Sequence, residues 1–185
     1  MAEIHPDIHY GDDYVLLGMG SVISTLKSSI RVEGRTLTAK EELHTTIFSL
    51  KFLVPLISSA LECDTDVARQ RLVSEVRNTL AGQPISAEDL PRDGEFRILQ
   101  KEDRRSAVFV PEGRPFAEIF DMTSERLGVV LPLQPAHVTL FTDDPQGRGI
   151  SVSTYDELTA LSQPVSPTMV ATVAAATSGV EGVRI

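Results

Sequence analysis

The sequence predicts an α+β fold built on a largely antiparallel sheet. Three observations lead there. Strand-like and helix-like stretches follow one another in mixed order, without the regular alternation that a parallel sheet needs. Each half of the 185 residues carries strands, one amphipathic helix and one strand with a His-x-Thr unit. A hydrophobic share of 42% beside 23% charged residues belongs to an ordinary globular chain that can bury a core.

The elements follow in order. Tyr14-Val15-Leu16-Leu17-Gly18-Met19-Gly20 is a short apolar run bounded by glycines and reads as a buried strand. Its glycines make half of a dinucleotide fingerprint, but the third glycine falls on Ile23, so they read as turn or bulge glycines. Residues 30–38, broken by Gly34, form a hairpin or an edge strand. Residues 43–50 are rich in β-branched and aromatic side chains and form a strand, which Pro55 ends or converts to a short helix. Asp64, Thr65 and Asp66 offer caps to a helix in which Ala68, Leu72, Val73, Val76 and Leu80 recur at helical spacing; Gly82 and Pro84 stop it.

Residues 82–94 are turn-rich and connect the halves. Residues 96–99 and 107–110 read as two strands joined by a polar turn. Pro115 opens a second helix, with Phe116, Ile119, Phe120 and Leu127 on one face and Gly128 as its stop. Residues 136–142 form a strand, residues 143–147 a turn, and residues 149–152 a returning strand. Residues 155–161 form a short helix capped by Ser153 or Thr154. Residues 169–176 are a last strand or a loose tail.

Charge and cysteine content narrow the function. The net charge of −9, with an isoelectric point near 4.9, repels a long nucleic-acid backbone and leaves small anions as possible partners through a local basic patch. Arg92, Arg97, Lys101, Arg104 and Arg105 can form such a patch, although a solvated charged hairpin is the plainer reading. Cys63 is the only cysteine, which excludes an intrachain disulfide and a cysteine-based zinc site. No apolar run is long enough for a membrane span, and residues 1–7 lack the basic start and apolar stretch of a secretory signal. A cytoplasmic setting is expected.

The chemistry lies in His44-Thr45-Thr46-Ile47 and His137-Val138-Thr139-Leu140. Both units read His, any residue, Thr, aliphatic, and one stands in each half. On a strand, residues two apart share a face, so each strand presents one imidazole beside one hydroxyl. Two such strands facing one another put two imidazoles around one pocket. One can take a proton from an attacking water while the other protonates a leaving oxygen, and the hydroxyls can hold the oxygens between. Alone, a single His-x-Thr means little; His5 and His9 lack the pattern and read as spectators.

The paired motif, its spacing and the chain length resemble the two-histidine phosphoesterase superfamily, which includes RNA ligase-like proteins and cyclic phosphodiesterases. The resemblance is strongest over residues 137–142 and the following Gly147-Arg148-Gly149-Ile150, and weaker around His44. It implies that residues 1–185 form one bilobal domain, two pseudo-symmetric antiparallel sheets with flanking helices and a central cleft. The motif strands near 43–50 and 136–142 would face each other across it. It implies His44 and His137 as the acid–base pair and Thr46 and Thr139 as phosphate ligands. The substrate implied is a 2′,3′-cyclic phosphate or related phosphodiester of a nucleotide or RNA end, with no metal cofactor. The alternative is a non-catalytic nucleotide- or phosphate-binding module on the same fold.

Two further residues are candidates for substrate contact. Arg148 can reach a phosphate, or is surface charge; Tyr155 can stack on a base, or is a half-buried packing residue. A metal site of His44, His137 and Asp143 or Asp144 is disfavoured, because both acids sit in a turn at the far end of the strand. Turn propensity accounts for Asp12-Asp13 and Asp143-Asp144.

Overall fold

The computed structural model describes residues 7–19, 25–163 and 165–178. In chain order the elements are β1 (Ile8–Tyr10), β2 (Tyr14–Gly18), β3 (Thr25–Leu26), β4 (Ser29–Val32), β5 (Arg35–Ala39), β6 (His44–Ser49), α1 (Leu50–Ala60) and α2 (Thr65–Gly82). A short 3-10 turn at Ala87–Asp89 leads to β7 (Gly94–Lys101), β8 (Arg104–Pro111), α3 (Ala117–Leu127), β9 (Val138–Thr142), α4 (Tyr155–Leu161), β10 (Ser162–Gln163), α5 (Pro167–Ala175) and β11 (Thr177–Ser178). The fold is mixed α+β with a large antiparallel sheet, as the mixed element order predicts. His5, Gly20 and Ile23, named above, lie outside the described residues.

The expectation of two sheets needs correcting. Nine strands join one sheet in the order β1-β2-β6-β9-β8-β7-β10, with the β4–β5 hairpin attached through β5 to β9. A separate two-stranded sheet pairs β3 with β11. The β4–β5 turn carries positive φ at both Glu33 (47°) and Gly34 (80°), the twist that a two-residue hairpin loop requires.

Alternation decides which face of the sheet is core. Val15 and Leu17 of β2, Thr45 and Ile47 of β6, and Val138 and Leu140 of β9 are fully buried. Their neighbours Tyr14, Leu16, His44, Thr46 and Thr139 are only half-buried and point to the other face. Among helix residues in the core are Leu50, Leu53, Val54 and Ile57 of α1, Leu72 and Val76 of α2, and Ile119 and Phe120 of α3. Phe48 and Phe120 stack with ring centroids 4.4 Å apart. A buried Thr123–Thr79 hydroxyl pair at 3.2 Å satisfies the polar groups where α2 meets α3.

Three further expectations are corrected. Pro55 neither ends the strand nor opens the helix; it lies inside α1. The helix starts at Leu50, where the Leu50 and Lys51 amides both donate to the Asp13 carbonyl at 2.8 and 3.2 Å. Pro55 is exposed, so the carbonyl deprived of its helical donor can turn to water. Residues 167–175 are a helix rather than a strand, started by Ser166, whose hydroxyl accepts from the Met169 amide at 3.2 Å. Residues 149–152 pair with no strand. Instead Ile150 and Val152 pack with Leu158 of α4 on Leu99 and Val108, covering part of the sheet's second face.

Candidate active site

The rest of that second face is open, and it forms a pocket of about 620 Å³ lined by His44, Thr46, His137 and Thr139 together. The register explains this. Thr45 of β6 pairs with Val138 of β9, the middle residue of one motif against the middle residue of the other. Both turn into the core, so the residues on either side of each turn to the pocket. Carrying the antiparallel register one step each way sets His44 across from Thr139 and Thr46 across from His137. The two histidines are then diagonal neighbours, a relation that separates backbones by about 7–8 Å. His137 stands one residue before β9 rather than on it, which corrects the expected strand start while keeping the side chain at the pocket.

The imidazoles sit in different surroundings. His137 is 7% exposed, and its Nδ1 lies 3.4 Å from the Pro135 carbonyl. Burial lowers its pKa from the usual value; hydrogen bonds to the Pro135 and Ile150 carbonyls, and the charge of Glu157, work in the opposite direction. His44 is half-buried and its pKa is also lowered, first by burial and then by Lys40; Glu42 opposes this, while His137 and His9 add to it. A charge on one ring therefore disfavours a charge on the other. The His9 imidazole reaches this neighbourhood from β1, although its sequence context gives no sign of it.

The loop after β9 closes the pocket over Thr139. A Cβ on Gly149 would come within 2.5 Å of Thr139 Oγ1, so only glycine lets the chain pass there. Lys40 Nζ donates to the Gly147 carbonyl at 2.6 Å and fixes the loop from the other side. Gln134 ties the approach to β9 to the end of β6: its Oε1 accepts from the Ser49 amide at 2.7 Å.

Arg148 lines this pocket as the sequence suggests. Tyr155 does not. It borders a separate depression with Glu95, Arg97 and Leu158, and Arg114 stands over its ring at 5.7 Å. The α4 helix that carries it packs on β7, which turns the ring away from the motif strands. The aromatic residue at the pocket is Tyr14, whose hydroxyl lies 3.3 Å from Ser151 Oγ. Its only sequence signal is that it leads a strand and shares a face with Leu16.

Among the described residues, those with basic side chains at the pocket are Lys40, Lys51, Lys101, Arg104 and Arg148, and Asp13 is the carboxylate that lines it. The charged hairpin is thus divided: Lys101 and Arg104 face the pocket, while Arg97 pairs with Glu95 and Arg105 pairs with Glu33 at 2.6 Å. Asp144, assigned above to the turn, also does more than turn the chain. It accepts from Arg148 and Arg104 at 3.2 and 3.4 Å. Among the described residues no group of three or more His, Cys, Asp or Glu is placed to hold a metal ion, and no helix is long and apolar enough to cross a membrane. No protein-family model, no curated protein and no solved structure matches this chain.

Proposed function

We propose that the protein is a metal-independent phosphodiesterase of the two-histidine kind. Its substrate is a 2′,3′-cyclic phosphate or a related nucleotide phosphodiester. One observation carries the reading: the middle residues of the two His-x-Thr units pair with each other, and all four motif side chains line one pocket. That register is what a pseudo-twofold relation between two lobes produces. The strands β1-β2-β6 lie on one side of the seam and β9-β8-β7 on the other, each an outer hairpin followed inward by a motif strand. In this reading the pocket is the cleft between lobes.

Hydrolysis then runs in one displacement. His44 accepts a proton from water as its oxygen bonds to phosphorus. His137 gives a proton to the ribose oxygen as the old P–O bond breaks. Burial lowers the pKa of both rings; Lys40 adds to this at His44 against Glu42, while the Pro135 and Ile150 carbonyls and Glu157 oppose it at His137, which supports His44 as the base in this reading. Thr46 and Thr139 donate to the non-bridging oxygens, where negative charge builds in the transition state.

The test is a panel of cyclic and linear nucleotide phosphates with EDTA present throughout. The parent turns over a cyclic phosphate, and His44→Ala or His137→Ala lowers kcat/KM by about 10²–10⁴-fold. Variants as fast as the parent overturn the mechanism. Saturable binding without product over long incubation selects a phosphate-binding module instead.

A further inference from the structure

We propose that the pocket holds a second anion-binding subsite, made by Arg104 and Arg148 on the carboxylate of Asp144, which takes a second phosphate of the same ligand. The inference rests on reading the pocket as a phosphoester site, and it narrows the substrate to a nucleotide with at least two phosphates.

The first ground is charge. The chain carries a net −9, yet among the described residues five basic side chains line this pocket beside Asp13, with Asp144 paired to Arg104 and Arg148 and Glu157 to Lys101. A single phosphodiester brings one negative charge, and the threonine hydroxyls already address it. The cations still outnumber these three carboxylates, an excess that a ligand carrying more than one negative charge balances.

The second ground is how the arginines are held. Asp144 Oδ2 accepts from Arg148 Nε and Nη2 at 3.3 and 3.2 Å and from Arg104 Nη1 at 3.4 Å. Its Oδ1 accepts the Gln146 amide at 2.8 Å. The side chain of Asp144 is 2% exposed, while those of Arg104 and Arg148 are 37% and 64% exposed. One buried carboxylate thus positions two accessible guanidiniums and neutralises only one of them. Ordering these long side chains within the fold lowers the entropic cost of gripping a ligand, and a guanidinium suits two phosphate oxygens at once.

The third ground is place. The Asp144 amide donates to Thr142 Oγ1 at 3.2 Å, and the same hydroxyl donates to the Arg148 carbonyl at 3.0 Å. The assembly is therefore fixed beside Thr142, and Asp144 itself lines an adjoining depression with Thr142 and Gly147 rather than the pocket of the motif side chains. The two guanidiniums anchored on Asp144 join the motif pocket from that side. The arginine pair addresses a different group of the ligand from the one at the histidines: a phosphate elsewhere on the same nucleotide, or the next one in a short chain.

The test is calorimetric titration of the full chain with adenosine 2′-monophosphate and adenosine 2′,5′-bisphosphate, a comparison that needs no turnover. The bisphosphate binds about tenfold tighter or more. Arg148→Gln, at an exposed position, shrinks that gap. Arg104→Gln combined with Arg148→Gln abolishes the gap. In the unaltered protein, rising salt narrows it, a check independent of how any variant folds. Equal affinities in the parent overturn the proposal, as does a gap that survives both substitutions or resists salt. If no cyclic phosphate is hydrolysed but the bisphosphate preference depends on the arginines, the subsite stands and the hydrolase reading falls. If cyclic phosphates are hydrolysed without any such preference, only the subsite falls.

Discussion

At the residue scale, the two imidazoles set the pH response. Both have pKa values below the usual 6.5 in the free protein. A base gains activity as pH rises through its own pKa, and an acid loses activity as pH rises through its own. The maximum of kcat/KM lies midway between the two values, and so below about pH 6.5. A bound phosphate anion raises both, so the kcat profile lies at higher pH than the kcat/KM profile; steady-state rates across pH 4.5–8.5 (roughly two units either side of the imidazole value) measure both. Gly149→Ala pushes a methyl group into Thr139 and lowers kcat/KM by about 10²–10³-fold, through loss of one oxyanion donor. Thr45 gives an opposite prediction. Its hydroxyl is buried with no hydrogen-bond partner among the described residues, so Thr45→Val raises stability by about 1 kcal/mol in urea unfolding.

At the element scale, the helix layer holds β6 in place. The Phe48–Phe120 stack joins this strand to α3, and Phe120→Ala costs about 3–5 kcal/mol, read as a lowered denaturant midpoint. Amphipathic periodicity made α2 and α3 legible in the sequence; an apolar run between glycines did so for β2, β-branched and aromatic content for β6, and two short apolar runs about a polar turn for the β7–β8 hairpin. Residues 50–60 escaped because Leu50, Leu53, Val54 and Ile57 follow directly on a β-rich run, and Pro55 looks like a boundary where it is only an exposed interruption. Residues 167–175 escaped because their small and β-branched side chains favour a strand locally; the Ser166 cap and packing of Val170 and Val173 decide otherwise. The motif side chains were legible through spacing alone. Asp144 was not, because a turn explains an aspartate locally, and only the tertiary fold brings Arg104 back to it from 40 positions away.

At the scale of the whole molecule, an acidic body surrounds a basic pocket. A polyanion gains from the pocket and loses everywhere else along its length. Affinity for RNA ending in a cyclic phosphate therefore rises until the second phosphate is in place and then stops rising. Measured KM values for one-, two-, four- and eight-nucleotide substrates (a series spanning roughly one Debye length to several) should level off after the second. A KM that keeps falling with length would point to an extended basic track outside the pocket.

The pairing of Thr45 with Val138 has a consequence for direction. In the proposed reading, with the two halves related by a pseudo-twofold, the arrangement nearly maps onto itself and has little built-in forward sense. A diester can enter it either way round, and the step that breaks a bond looks, run backwards, like the step that makes one. The unequal neighbours of the two rings, Lys40 on one side and the two carbonyls with Glu157 on the other, together with the arginine pair at one end, distinguish entrance from exit. Where the alcohol product is concentrated and water is scarce, the same pair with its duties exchanged should join what it otherwise cuts.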